Sequence, residues 1–149
     1  MTRSVNILGI DPGKTVGIAH LHGTEFHSWQ LPRVDAEVHI QGIINQSKRI
    51  IVVCERFIIG ANTVKKSRQA DAIELGAVIR KMCTEHPHAT YSLQMSSDAK
   101  RRVPHRHLQL FGWYVRGQDH ANDAASHVGL ALLRLHPAVM YSMQHPSIV

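Results

Sequence analysis

Two apolar runs in this sequence each end in a carboxylate. Val5 to Ile10 and Ile50 to Cys54 are almost uninterrupted, a pattern typical of central strands that helices cover on both faces. Asp11 follows the first run and Glu55 follows the second. If the two strands are neighbours with aligned ends, we expect the two carboxylates to lie together at one edge of a sheet.

Three further segments with strand-like patterns complete a predicted five-stranded sheet. Pro12-Gly13 predicts a tight turn, so the first strand and residues 16–21 are expected to form a hairpin. Residues 24–31 then close a three-stranded meander, which Pro32 ends. A short strand is expected over residues 89–93.

Three longer segments have apolar residues at helical spacing, which predicts helices over residues 34–48, from about 66 to 85 and from about 117 to 136. Strands that alternate with helices indicate an α/β fold with a mixed five-stranded sheet and helices on both faces. We expect one domain over residues 1–149. Residues 138–149 show no clear pattern.

The start of the third helix carries further candidate site residues. His120 and Asp123, three positions apart, share the flank of the apolar face and can point toward the edge of the core. Asp119 projects nearly opposite that face and suits the N-cap position. Asp11 alone is equally consistent with ordinary turn chemistry, whereas acids from two strand ends and a helix start predict a functional site. Their hard oxygens suit Mg²⁺ or Mn²⁺.

The composition indicates a globular protein that is not embedded in a membrane. Hydrophobic residues make up 44% of the 149 positions and charged residues 19%. No apolar run is long enough to cross a bilayer, and the first residues have no signal-peptide layout, so we expect a soluble, cytoplasmic protein. Cys54 and Cys83 lack metal-type spacing and are interpreted as small buried hydrophobic residues.

An excess of positive charge favours a polyanionic partner. The chain carries 17 Lys and Arg against 11 Asp and Glu, a net charge of +6. Two basic segments, 65–68 and 100–102, are each either a solvated surface or a contact for DNA phosphates. Phe57 follows Glu55 closely and is interpreted either as a core contact or as a base-stacking residue beside the acidic site.

Three motifs in the same order resemble the RuvC family of Holliday junction resolvases, within the ribonuclease H-like superfamily. Ile7-Leu8-Gly9-Ile10-Asp11-Pro12-Gly13 resembles the first strand motif of that family. Glu55 with Phe57 resembles the second strand and its loop, and His120-Ala121-Asn122-Asp123-Ala124-Ala125 resembles the closing helix motif. The similarity extends from about Val5 to Leu135.

This resemblance implies a homodimeric endodeoxyribonuclease that binds four-way DNA junctions in recombination and repair and nicks two strands symmetrically. The implied catalytic set, which would bind two Mg²⁺ or Mn²⁺ ions, is Asp11, Glu55, His120 and Asp123, with Asp119 as an additional candidate ligand. Some members of the family carry Asp at the position of His120, so the resemblance implies a less negative site in this chain. His120 is interpreted either as a ligand or as a proton-transfer group. The hypothesised DNA contacts are Phe57, Lys65, Lys66, Arg68, Lys100, Arg101 and Arg102.

Other readings of the same residues stay open. The carboxylates also suit a ribonuclease H-like nuclease that acts on flaps, forks or RNA–DNA hybrids, and the basic segments suit a nuclease-inactive DNA-binding module. The stretch from Gly9 to Thr15 resembles the first phosphate-binding hairpin of actin-like ATPases and sugar kinases, but the chain is short for their two lobes and lacks a second such hairpin. Its compactness is compatible with a phage enzyme.

Overall fold

Five strands form one mixed sheet in this protein. The computed structural model describes residues 4–57 and 68–146. The strands are β1 (Asn6–Asp11), β2 (Thr15–His22), β3 (Glu25–Pro32), β4 (Ile50–Glu55) and β5 (Ala89–Gln94). Their order in the sheet is β3-β2-β1-β4-β5. β1 to β3 pair as an antiparallel meander, and β4 runs parallel to both β1 and β5. The predicted mixed sheet and meander are confirmed.

The described part of the chain contains three helices that were expected and three that were not. The helices are α1 (Arg33–Gln46), α2 (Arg68–Glu85), α3 (Ser96–Arg102), α4 (His105–Phe111), α5 (Asp119–Leu135) and α6 (Pro137–Gln144). Residues 138–149 show no clear pattern in the sequence, but the structure has a helix there up to Gln144, since α6 begins with Pro137 and buries Met140. The predicted start of α2 near Lys66 lies outside the described residues.

Both faces of the sheet are covered, as the two uninterrupted apolar runs predicted. On one face, Leu8 and Val52 belong to a core that α1 and α2 close. On the other face, Ile7 and Val53 belong to a core that α5 closes together with α3 and α6. Because successive strand residues point to opposite faces, a central strand with two buried faces needs apolar residues at every position.

Two glycines let α5 lie directly on the sheet. A Cβ atom on Gly9 would lie 2.5 Å from the carbonyl oxygen of Ala124. A Cβ atom on Gly17 would overlap the carbonyl group of His120. The absence of side chains in β1 and β2 therefore brings the first turns of α5 to the carboxyl end of β1.

Two smaller expectations can be compared with the structure. Cys54 and Cys83 are buried and free, as expected for small hydrophobic residues. Among the helices of residues 4–57 and 68–146, none is long and apolar enough to span a membrane.

Candidate functional site

The register of β1 and β4 brings Asp11 and Glu55 together. Ile10 lies opposite Cys54 in this parallel pair, so the next residue of each strand is one of the two acids. Gly9 and Val53 face α5. Asp11 and Glu55 each lie two positions further along the same strands, so their side chains point to the same face of the sheet. The predicted meeting of the two carboxylates at one sheet edge is thus visible in the structure.

The first turn of α5 adds a histidine to this edge. Nδ1 of His120 lies 2.9 Å from Oδ2 of Asp11. The side chain of Asp11 is only 8% exposed, whereas that of His120 is 50% exposed. An ionised Asp11 accepts a hydrogen bond from a protonated Nδ1, and a protonated Asp11 donates a hydrogen bond to an unprotonated Nδ1. His120 therefore connects the buried acid to the solvent side of the site.

Asp123, one turn further along α5, faces two basic groups. Its Oδ1 lies 3.2 Å from Nε2 of His105, and its Oδ2 lies 3.6 Å from Nζ of Lys100. Both partners lie on helices that the sequence pattern did not predict, α3 and α4. Lys100, a hypothesised DNA contact, therefore also contacts a candidate catalytic residue.

His127 is a third α5 residue on this side of the helix, and the sequence pattern did not single it out. It is 1% exposed, and its Nδ1 lies 2.9 Å from Oε1 of Gln94. Its Nε2 lies 3.5 Å from Oε1 of Glu55. The available signal was its spacing, since it follows Asp123 by four positions within an otherwise small and apolar helix face.

The two strand-end acids ionise in different ranges. Burial and, to a smaller extent, the nearby Glu55 raise the pKa of Asp11 to about 7, although the hydrogen bond with His120 opposes this rise. Burial also disfavours the ionised form of Glu55, but its contacts with His127 and Ser96 leave its pKa below the usual value. Glu55 is therefore the more easily ionised of the two, and Asp11 loses its proton only near neutral pH.

The carboxylates line an open cavity of about 450 Å³. Phe57 and Lys100 lie on its wall, together with Asp11, Glu55, His120 and Asp123. The cavity is wide enough for a ligand much larger than a water molecule. It brings the whole predicted catalytic set to a single surface.

The sequence matches no protein-family model and no curated protein. Solved structures do resemble this chain. The structure titled "T. thermophilus RuvC in complex with Holliday junction substrate" aligns with a TM-score of 0.62 at 11% identity, over 89% of this chain and 96% of that one. The fold is that of RuvC. A structure of Thermus thermophilus RuvC aligns with a TM-score of 0.52, also at 11% identity, over 88% of this chain and 96% of that one.

The RuvC fold confirms the predicted ribonuclease H-like architecture, with its mixed sheet and helices on both faces. At this low identity the likeness concerns the path of the chain. The chemistry of the site therefore depends on the side chains described above.

Asp119 does not lie with the other acids. It is exposed and is not among the residues lining the cavity. The N-cap expectation for Asp119 is wrong, because α5 begins at Asp119 and Gln118 precedes it without a side-chain cap. Oε1 of Gln30 on β3 instead accepts hydrogen bonds from the backbone N–H groups of His120 and Ala121, at 3.0 and 3.2 Å. A neighbouring strand thus supplies the acceptor for the first turn of this RuvC-fold helix.

The hypothesised DNA contacts are only partly described. Lys100 is 54% exposed beside the cavity, and Arg101 is 75% exposed and lies 3.5 Å from Asp98. Arg102 is exposed at the end of α3. Lys65 and Lys66 lie outside the described residues, as does the side chain of Arg68.

The donor set fits a hard divalent cation in its chemistry. Asp11 is buried, and a second carboxylate raises its pKa, so a cation would relieve repulsion there. Within residues 4–57 and 68–146, no three His, Cys, Asp or Glu side chains are already gathered as a metal-binding group. Asp123 is engaged by Lys100 and His105 instead. Cation binding would therefore draw first on Asp11 and Glu55.

Proposed function

We propose that this protein is a crossover junction endodeoxyribonuclease, which resolves four-way DNA junctions by paired symmetric nicks through phosphodiester hydrolysis. One observation carries the proposal. Asp11 and Glu55 at neighbouring strand ends meet His120 and Asp123 at the start of α5, all on one cavity of a RuvC fold. Clustered acids that crowd a buried carboxylate are costly for stability and are typical of functional sites.

Asp11 and Glu55 are the principal ligands for two Mg²⁺ or Mn²⁺ ions in this proposal, with Asp123 and His120 completing the site. When bound, such ions activate a water and stabilise the leaving 3′ oxygen of the cleaved strand. The contact between Nδ1 of His120 and Oδ2 of Asp11 supports a role for His120 at this metal site, as a ligand or as a group that positions Asp11. Asp119 is the least supported candidate, since it does not line the cavity.

The basic surface of α3 would hold the DNA backbone over the carboxylates. Lys100, Arg101 and Arg102 occupy the last turn of that helix, and Lys100 lines the cavity. Cations next to an acidic site can pair with the phosphates that flank the cleaved bond. Phe57, half-buried on the cavity wall, would stack on a base at the junction. Lys65, Lys66 and Arg68 remain proposed phosphate contacts from the sequence.

A homodimer would suit the proposed reaction. A four-way junction offers two equivalent strands, and a two-fold symmetric pair of subunits presents two equivalent active sites. The single domain of residues 1–149 would supply one of these sites, and branched DNA in the cytoplasm would be its substrate.

Single-turnover cleavage of matched DNA substrates tests this function. A synthetic four-way junction is compared with a linear duplex, a flap, a fork and an RNA–DNA hybrid, each with Mg²⁺ and with Mn²⁺. We expect paired nicks at symmetric positions on two opposed strands of the junction. Preferential cleavage of a flap, fork or hybrid would contradict junction resolution and favour the broader nuclease. Binding without metal-dependent cleavage would favour a nuclease-inactive module.

A further inference from the structure

His127 is a buried histidine with both ring nitrogens facing polar partners. It lies in the middle of α5, among Ala124, Val128 and other residues of the core, and is 1% exposed. Gln94, its partner at Nδ1, is itself only 4% exposed. Burying polar groups costs free energy unless each one is paired, so a pair of this kind in a small-residue core calls for a reason.

The hydrogen-bonding roles of this group follow from the chemistry of Glu55. An ionised carboxylate only accepts, so the contact is favourable when Nε2 of His127 carries a proton that faces Oε1 of Glu55. Nδ1 then either donates to Oε1 of Gln94 from a protonated ring or accepts from the Gln94 amide in its flipped orientation. In both cases the ring presents an N–H to Glu55.

The position of Gln94 is determined by the sheet. It lies opposite Glu55 in the parallel pairing of β4 and β5. The backbone carbonyl oxygen of Gln94 also accepts a hydrogen bond from the backbone N–H of Arg56 at 2.7 Å. His127 is therefore anchored to a residue whose backbone is held directly beside the acid that the ring contacts. The ring on α5 and the two strand ends form one connected unit.

We propose that His127 is a positioning residue, which holds Oε1 of Glu55 through an N–H contact and leaves the second carboxylate oxygen for a divalent cation. The inference rests on the proposed function only in that Glu55 binds such a cation. Outer partners of this kind orient a ligating group before the metal arrives. Gln94 holds the opposite nitrogen of the ring, Nδ1, so its side chain affects the position of Glu55 through His127.

A polar pair that only stabilises the core would have a different signature. Its removal would lower the free energy of unfolding without changing how tightly the folded protein binds metal. A positioning role changes metal affinity as well, and only while Glu55 keeps its carboxylate. The two roles therefore separate in a double-mutant cycle between His127 and Glu55.

The test measures Mn²⁺ affinity of the full chain without DNA, by electron paramagnetic resonance of free Mn²⁺, with urea unfolding of each variant alongside. We expect His127→Phe to weaken Mn²⁺ binding by roughly 10- to 100-fold. His127→Gln keeps an N–H donor and is expected to recover part of this loss, which covers the case that the Phe variant folds poorly. On a Glu55→Gln background, His127→Phe should cause no further loss.

Wild-type Mn²⁺ affinity in folded His127→Phe would overturn the inference, as would an equal loss in the presence and absence of the Glu55 carboxylate. A wild-type protein that binds Mn²⁺ with the expected His127 dependence but cuts none of the DNA substrates would overturn the proposed function and support the inference. Cleavage by wild type together with unchanged Mn²⁺ affinity in both His127 variants would support the proposed function and overturn the inference.

Discussion

Nδ1 of His120 lies 2.9 Å from Oδ2 of Asp11, although the two residues are 109 positions apart in the sequence. The contact joins the carboxyl end of β1 to the first turn of α5. It exists only because the helix lies directly against β1 and β2, where Gly9 and Gly17 leave room for its backbone. The geometry of the candidate site therefore depends on how closely α5 packs on the sheet.

Gly17→Ala should destabilise the protein and displace His120, because the added methyl group would overlap the His120 carbonyl. Overpacking of this kind typically costs about 1–3 kcal/mol of unfolding free energy. The matched control is Gly42→Ala in α1, where nothing lies within 4 Å of the added atom. The control should gain about 0.5–1 kcal/mol, since Ala is the better helix former. Urea unfolding measures both variants, and equal effects would contradict the proposed close packing.

Asp11 should contribute a loss of stability to the metal-free protein as the pH rises from 3.8 to about 7, the range between the ordinary pKa of Asp11 and its raised value. In that range the folded state holds a proton that the unfolded state has released, so the free energy of unfolding falls with rising pH. Asp11→Asn removes this titration. We therefore expect the variant to gain melting temperature relative to wild type as the pH increases in EDTA.

The control for this pH effect is Asp35→Asn, an exposed carboxylate in the first turn of α1. Its melting temperature should follow that of wild type at every pH. Added Mg²⁺ or Mn²⁺ should raise the melting temperature of wild type and of the control, by an amount equivalent to about 2.7 kcal/mol at 100 times the dissociation constant. The same addition should have little effect on Asp11→Asn. A parallel pH profile for all three proteins would contradict the raised pKa.

Arg101→Ala and Arg102→Ala should weaken junction binding similarly for all sequences, because phosphate contacts carry no sequence information. Each lost contact should also reduce the slope of log affinity against log salt by about 1. Arg134→Ala, which removes an exposed charge from the last turn of α5, is the matched control. Fluorescence anisotropy over a salt series measures the slopes. Loss of slope in the control equal to that in the α3 variants would contradict a localised DNA surface.

Lys100→Ala should affect cleavage differently from Arg101→Ala. Lys100 lies 3.6 Å from Asp123, whereas Arg101 lies 3.5 Å from Asp98 on its own helix. Both variants should bind DNA more weakly, but only Lys100→Ala should also change the single-turnover cleavage rate at saturating DNA. Measurement of that rate across a Mn²⁺ series gives the comparison. Identical rates for the two variants would mean that the contact between Lys100 and Asp123 has no part in the reaction.

The parts of the fold that could be predicted are those in which the local pattern decides the structure. Uninterrupted apolar runs marked β1 and β4, and the acids that end them lie at the shared sheet edge. Helical spacing marked α5, and it placed His120 and Asp123 near the same edge. α6 was missed because Met140 is the only buried residue within it, so its apolar pattern is weak.

The residues that were missed at the site depend on tertiary contacts. Gln30 accepts hydrogen bonds from the N–H groups at the start of α5, but it lies on a strand some 90 residues away in the sequence. No residue near Asp119 therefore signals that the first turn is capped by Gln30. A histidine such as His127 in a helix of small residues is equally typical of an ordinary core position. Lys100 was predicted as a DNA contact, but nothing in its run of positive charge distinguishes it as the residue that contacts Asp123.

The most direct test of a metal-dependent nuclease site is cleavage of a synthetic four-way junction by wild type, Asp11→Asn and Asp35→Asn, with Mn²⁺ and with EDTA. We predict symmetric nicks by wild type and Asp35→Asn that require Mn²⁺. Asp11→Asn should lose more activity than the roughly 10- to 100-fold expected for an outer partner of a metal ligand. Cleavage by Asp11→Asn at the wild-type rate, or cleavage that persists in EDTA, would contradict the proposed site.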